Sequence, residues 1–223
     1  MILTDKEIRD LCEKNDMISP FKEEALQSES YDLSIGNKVY VVNQNIRELD
    51  LDDKLSLDNL YKEVKITDKG FLINPKEYVL VSLNEALNIP EKINAHIRPR
   101  TRFIRAGLYV SAQHCNSTYS GNLKIGVFNF LNIPIRIYKG KKICQIIFEE
   151  LEGIPTDKKQ YKNKEDAPYQ NEKEFVGPKL DSETQRKVDE IVNYFIGEDK
   201  NEENLNWNNR EHFYLKKTLE MLI

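Results

Sequence analysis

Four arginines fall within eight residues of this chain, Arg98, Arg100, Arg102 and Arg105, with Pro99 and Thr101 among them. A guanidinium presents a rigid fork of N–H donors that matches paired phosphate oxygens, and a neighbouring hydroxyl adds one more donor, so the segment suits the gripping of phosphate. Its surroundings sharpen the point. From Lys92 to Phe148 the sequence runs 57 residues without an Asp or Glu, although 37 of its 223 residues are acidic and its formal net charge is -4. Ten Lys or Arg stand in that stretch. Burial in strands explains missing acids but not clustered arginines, so the island predicts an anionic ligand. It also predicts that a carboxylate acting here as general base or metal ligand comes from elsewhere in the chain or from another subunit.

Other chemistries are excluded by composition. Cys12, Cys115 and Cys144 are widely spaced and match no metal pattern, so a disulfide framework is not expected. With His96, His114 and His212 as the whole histidine complement, no zinc site of Cys/His or deaminase type can be drawn. No apolar run approaches the ~18 residues of a membrane span, and Met1 to Asp5 lacks the regions of a signal peptide, so a cytoplasmic protein with no membrane partner is expected. Nucleic acid is disfavoured as the anionic partner by the net negative charge and the narrowness of the basic region.

The elements that must position these groups are mainly β. Thr4 and Glu7 make a capping box for a short helix with Ile8, Leu11 and Cys12 on its inner face. Tyr31 through Val42 alternate around Gly36 and Asn37, which predicts two short strands and a turn; residues 45–68 read as a polar surface excursion. Short apolar segments follow at 71–73, 78–82, 108–112, 123–130, 135–138 and 143–148, punctuated by Pro75, Pro90, Gly107, Gly121, Pro134 and Gly140. Their spacing predicts a closed barrel or jelly-roll sandwich. After residue 180 the pattern becomes helical. Ser182 and Gln185 form a second capping box, Val188, Ile191, Val192 and Phe195 share a face, and Gly197 ends the helix. A last amphipathic helix is predicted over 210–223, so the expected organisation is a β domain at 1–180 and a helical appendage at 181–223, read as packing or oligomer elements.

Several segments together resemble one known family. Pro99 to Leu108 resembles the phosphate-gripping element of the dCTP deaminase and trimeric dUTPase superfamily, with Thr101 keeping the hydroxyl, Arg105 where the deaminase branch has a second Arg, and Arg102 departing from the usual small residue. Asn116 to Gly121 resembles the hairpin that holds pyrimidine and sugar, with Tyr119 as its aromatic. Gly121 to Phe130 and Lys139 to Ile147 look like the next two strands, and Ser30 to Gly36 looks like the element whose Asp organises magnesium through water. Met1 to Asp10 and Ala167 to Asn171 resemble the deaminase branch. The resemblance implies a distorted jelly-roll β-barrel and a homotrimer binding a pyrimidine deoxynucleoside triphosphate. It implies Arg100, Thr101, Arg105, Gln113, Asn116, Tyr119, Gln145, Tyr169 and Gln170 as nucleotide ligands, and Mg2+ near Asp32.

The residues keep other readings open. Arg100 also suits a structural ion pair, Asp32 a turn cap, Tyr119 core filling, and Gln145 a bond to backbone. Two departures bear on catalysis. Where trimeric dUTPases carry an Asp that activates water, this chain has Asn116. Where the deaminases carry the Glu that directs water at cytosine C4, it has Gly126. Neither residue accepts a proton, and loss of a general base typically removes ~10² to 10⁴ of rate. Catalytic residues are therefore unassigned. An active protein would be a zinc-independent deaminase or dUTP diphosphatase-like hydrolase with a rearranged base; an inactive one would be a regulatory or protein-interaction member using its C-terminal helices.

Overall fold

A computed structural model describes residues 1–164 and 166–197. Helix α1, Asp5–Asn15, opens at the expected capping box: Thr4 N–H donates to the Glu7 carboxylate at 2.7 Å. Its inner face buries Ile8 and Cys12. Strand β1, Ile18–Ser19, is followed by β2, Tyr31–Val42, helix α2, Lys54–Asp58, and strands β3, Tyr61–Lys65, β4, Phe71–Ile73, and β5, Tyr78–Asn88. Strand β6, Ile93–Pro99, leads into helix α3, Thr101–Arg105, which β7, Leu108–Val110, β8, Gln113–Cys115, and β9, Ser120–Asn129, follow. Strands β10, Ile135–Ile137, and β11, Lys142–Glu150, complete the sheets. Helix α4, Ser182–Gly197, lies in a second compact unit that begins after Leu180.

The strands build one curled antiparallel sheet in the order β7-β9-β5-β2-β11-β6-β8, with β1 on β5 and β3 on β2, beside a small β4–β10 pair. The expected β-rich jelly-roll architecture is what forms. Alternation along each strand sends one face inward: Val79, Val81 and Leu83 of β5, Ile125 and Val127 of β9, Ala95 and Ile97 of β6, and Ile146 and Phe148 of β11 are all buried. Each fully buried aliphatic or aromatic side chain contributes about 1.5–3 kcal/mol before chain entropy is charged against it.

Four expectations are corrected. Tyr31–Val42 is one continuous strand rather than a hairpin; its first residues pair with β11 and its later ones with β5 and β3. Gly36 marks the bend between the two pairings, where a Cβ would stand 2.9 Å from the Ser82 carbonyl oxygen. The excursion at 45–68 contains α2 and edge strand β3, whose sequence Tyr-Lys-Glu-Val-Lys buries little and so carries weak periodicity. Strands β6 and β8 lay outside the expected segments, although Ile93, Ala95 and Ile97 alternate cleanly with polar Asn94, His96 and Arg98. Helix α4 is capped by Asp181, not Ser182: the Asp181 carboxylate accepts from Glu183 N–H at 2.9 Å and Thr184 Oγ1 at 2.7 Å. The helix expected at 210–223 lies outside the described residues. Among the described residues no helix is long and apolar enough to cross a membrane.

Candidate nucleotide site

The basic segment sits where β6 gives way to α3. Pro99 ends the ladder with β11, Arg100 is the helix N-cap residue in extended conformation, and Thr101 and Arg105 are exposed on the single turn that follows. A strand that stops at a short helix turns its next few side chains out of the sheet, which is what leaves these donors accessible. Arg100 has a partner already. Its Nη1 stands 2.6 Å from Asp32 Oδ2, with Arg100 one-third exposed and Asp32 2% exposed. The contact is a charge pair outside hydrogen-bond alignment. Lys142 Nζ approaches the same oxygen at 3.3 Å and Gln27 Nε2 donates to it at 3.2 Å.

Register explains this cluster. Gln145 of β11 lies opposite Asp32 of β2 on one side and opposite Arg98 of β6 on the other, so all three share a face. Gln145 Nε2 donates to Ser30 Oγ at 3.4 Å. One buried carboxylate is thus set against Arg100 and Lys142, with the exposed Arg98 two strands away in the same row, a surplus of positive charge at the end of the sheet that carries α3.

Asp32 is not placed to ligate magnesium directly, although its Oδ1 is buried without a hydrogen-bond partner. Hydrated Mg2+ keeps several waters and needs oxygen donors in number, whereas Asp32 is sealed from solvent with two cations at one oxygen. Among the described residues no group of three His, Cys, Asp or Glu side chains is placed to hold a metal. Asp32 is paired with Arg100 and Lys142.

The hairpin residues lie elsewhere. Strands β6 and β8 run antiparallel, with Ala95 opposite Cys115 and Ile97 opposite Gln113. The turn after β8 therefore falls at the far end of β6, where Thr118 N–H donates to the Ile89 carbonyl and Ile89 N–H to the Tyr119 carbonyl. Seven strand residues put about 20 Å between that turn and the arginines. Asn116 is exposed at the turn, and Gln113 Nε2 is bonded to the Lys124 carbonyl at 2.8 Å. Tyr119 is 5% exposed and packs edge-on against Tyr161; burial pushes its phenol pKa up strongly. Gln170 is bound to the turn, donating to the Thr118 carbonyl and accepting from Ser120 N–H. Tyr169 stays exposed, and an open cavity of about 590 Å³ lies here, lined by Thr118, Ser120, Gln170 and Asn88 among others. Within one chain, then, the residues expected to hold a nucleotide form two groups, Arg100, Thr101, Arg105 and Gln145 with Asp32 at one end and Asn116, Tyr119, Tyr169 and Gln170 at the other, with Gln113 on β8 opposite Ile97.

A sequence profile of the dCTP deaminase-like family matches residues 2–151. The chain belongs to that family. Among its relatives are proteins named dCTP deaminase, dUMP-forming. The one from Persephonella marina is 32% identical over 154 residues, covering 68% of this chain and 85% of the relative. The one from Hydrogenobaculum sp. is 34% identical over 158 residues, covering 70% and 86%. The crystal structure of 2'-deoxycytidine 5'-triphosphate deaminase from Agrobacterium tumefaciens shares the fold at a TM-score of 0.55 and 23% identity, over 67% of this chain and 48% of that one.

Two further features of the sheet were not disclosed by the sequence. At Gly126, an added Cβ would collide with the Tyr78 hydroxyl and stand 3.0 Å from the Tyr78 ring, so the phenol of β5 lies over the bare backbone of β9. The second is a tail strap. Glu172 accepts from Val176 N–H at 2.8 Å and pairs with Lys124 Nζ at 3.2 Å, both side chains about 95% buried. Phe175 stacks on Tyr40 at 3.9 Å and Lys38 bonds Glu174 at 3.1 Å. Desolvation lowers the Lys124 pKa despite the carboxylate beside it. A lone lysine on the outer face of a strand reads as solvated, which is why Lys124 gave no signal.

Proposed function

We propose that this chain binds a pyrimidine deoxynucleoside triphosphate as a homotrimer and does not deaminate or hydrolyse it at ordinary enzyme rates. Arg105, Thr101, Arg100 and Gln145 receive the triphosphate; the strand and turn at 113–119, with Tyr169 and Gln170, supply the sugar and base side of a neighbouring subunit's site. The separation of these two groups to opposite ends of β6 supports that division, since a nucleotide cannot span both within one chain. Arg100 leaves the cluster least readily because it already neutralises Asp32, so Arg105 carries more of the phosphate affinity.

The observation that carries the loss of turnover is the phenol over Gly126. The carboxylate that would direct water at the pyrimidine is absent, and its volume is filled. Among the described residues the buried acids are engaged: Asp32 with Arg100 and Lys142, Glu172 with Lys124, and Glu85 with the Ser34 N–H and hydroxyl that donate to it. A carboxylate held by cations is a weak proton acceptor.

Incubation with dCTP and with dUTP, followed by chromatography and ammonia and pyrophosphate assays, tests both halves. Saturable binding without product is expected. Turnover at rates of order 1 s⁻¹ or faster contradicts the catalytic half, and absence of binding contradicts the whole.

A further inference from the structure

Two histidines face each other across the last strand pair of the sheet. His96 of β6 lies directly opposite His114 of β8, between the pairs Ala95–Cys115 and Ile97–Gln113, and β8 is the terminal strand in the sheet order. Ala95, Ile97 and Cys115 are buried, so alternation turns both imidazoles outward, with His114 exposed and the His96 side chain 26% exposed. Their ring centroids stand 4.9 Å apart with 49° between the planes. Among the described residues neither ring is hydrogen-bonded; the polar group nearest them is Glu149, whose Oε2 is 3.8 Å from His96 Nε2. The ring nitrogens are left to other ligands.

The separation is the one a chelated cation requires. A metal about 2.1 Å from one nitrogen of each ring lies roughly 3.3 Å from each centroid, and centroids 4.9 Å apart then subtend about 100° at it, between the square and the tetrahedral angle. The backbone need not move. Turning each ring about Cβ–Cγ, a soft two-fold torsion, brings the lone pairs to a common point. We propose that His96 and His114 chelate one divalent transition cation of the kind that prefers imidazole, with Cu2+ held more tightly than Ni2+. Among the described residues no third His, Cys, Asp or Glu closes the coordination, so water fills the remaining positions, which suits these ions better than a structural zinc needing four protein ligands. Glu149 stands where it can accept the second ring proton of His96, the arrangement that orients metal-bound imidazoles. Arg98, two residues along β6, is exposed, and solvent and salt screen its repulsion. A cation here ties edge strand β8 to β6 just before the turn at Asn116. The site is independent of the nucleotide reading.

Titration calorimetry of Cu2+ and Ni2+ into the full chain without an added histidine tag tests this, with His96→Ala, His114→Ala, Glu149→Ala and His212→Ala beside it. Melting curves in EDTA establish that each variant is folded. One cation per chain is expected, with affinity falling by more than about tenfold in His96→Ala and in His114→Ala, by about tenfold in Glu149→Ala, and unmoved in His212→Ala. Electron paramagnetic resonance of the Cu2+-loaded wild-type chain should show two ligating nitrogens. Affinity unmoved by the His96 and His114 variants, loss in His212→Ala instead, a spectrum without paired nitrogen ligands, or Ni2+ held more tightly than Cu2+ overturns the site. Each of those results leaves the binding of nucleotide as it was.

Discussion

The outer faces of the two halves of the sheet carry different chemistry. Across β2, β11 and β6 the face is charged and crowded, with Asp32, Gln145 and Arg98 in one row and Arg100 and Lys142 closing on the carboxylate. Across β5, β9 and β7 it is aromatic and hydroxylic, with Tyr78, Phe128 and Tyr109 in a row beside Gly126 and Ser111. Further along that second face the tail lies over Tyr40 and Lys124. The difference teaches that the fold can retain a cationic cradle while the place for a proton acceptor is closed by a neighbouring strand. On the proposed reading, binding and turnover are separable because the groups for each stand on different strands.

The largest effect is expected where a charge would be stranded. Glu172→Gln leaves Lys124 buried without its counter-ion and should destabilise the strap by about 3 kcal/mol, read as faster hydrogen exchange at 170–177. Glu172→Gln with Lys124→Met should recover most of that loss. An unchanged exchange pattern in the single variant would mean the pair does not hold the tail.

On the charged face, Arg105→Ala should weaken dUTP binding by roughly 30-fold, or about 2 kcal/mol, the worth of a charge-assisted bond to phosphate. Arg100→Ala should cost less, because it also frees Asp32. Equal losses would show that the Asp32 pair does not restrain Arg100.

Gly126→Glu probes the aromatic face. The new Cβ must displace the Tyr78 hydroxyl, a partly exposed group that can swing away, so destabilisation of about 1–2 kcal/mol is expected, relieved in the Gly126→Glu, Tyr78→Ala pair. Additive melting temperatures would show the two positions are not coupled.

The smallest effect is alkaline. Burial pushes the Cys12 thiol from 9.0 up to about 11 and the Tyr31 and Tyr40 phenols from 10.0 up to about 12. Groups whose pKa is raised by folding stabilise fully below their unfolded value and lose that contribution as pH rises through the folded one. Melting temperature should therefore be insensitive to these groups below pH 9 and fall between about pH 9 and 12. A Cys12→Ala, Tyr40→Phe variant should fall less steeply.

Much of the fold was legible because inward alternation is a two-residue signal: β4, β7, β10 and β11 announced themselves through runs such as Ile143 to Phe148. Strand β3 did not, since an edge strand with little to bury has no reason to alternate. The arginine cluster was legible from its density alone. Its pairing with Asp32, more than sixty residues away, was not, because cross-strand partners are set by register and not by spacing in sequence. The vacancy at Gly126 could be read from the resemblance. That Tyr78 fills it could not, since nothing local to Tyr78 distinguishes it from any outward tyrosine on a strand.

Titration calorimetry of dUTP into the protein bears on the central claim most directly. Saturable binding at micromolar concentrations, with no heat of turnover continuing after each injection, is the predicted result. A flat titration, or a sustained heat signal accompanied by dUMP or pyrophosphate in the cell, would contradict it.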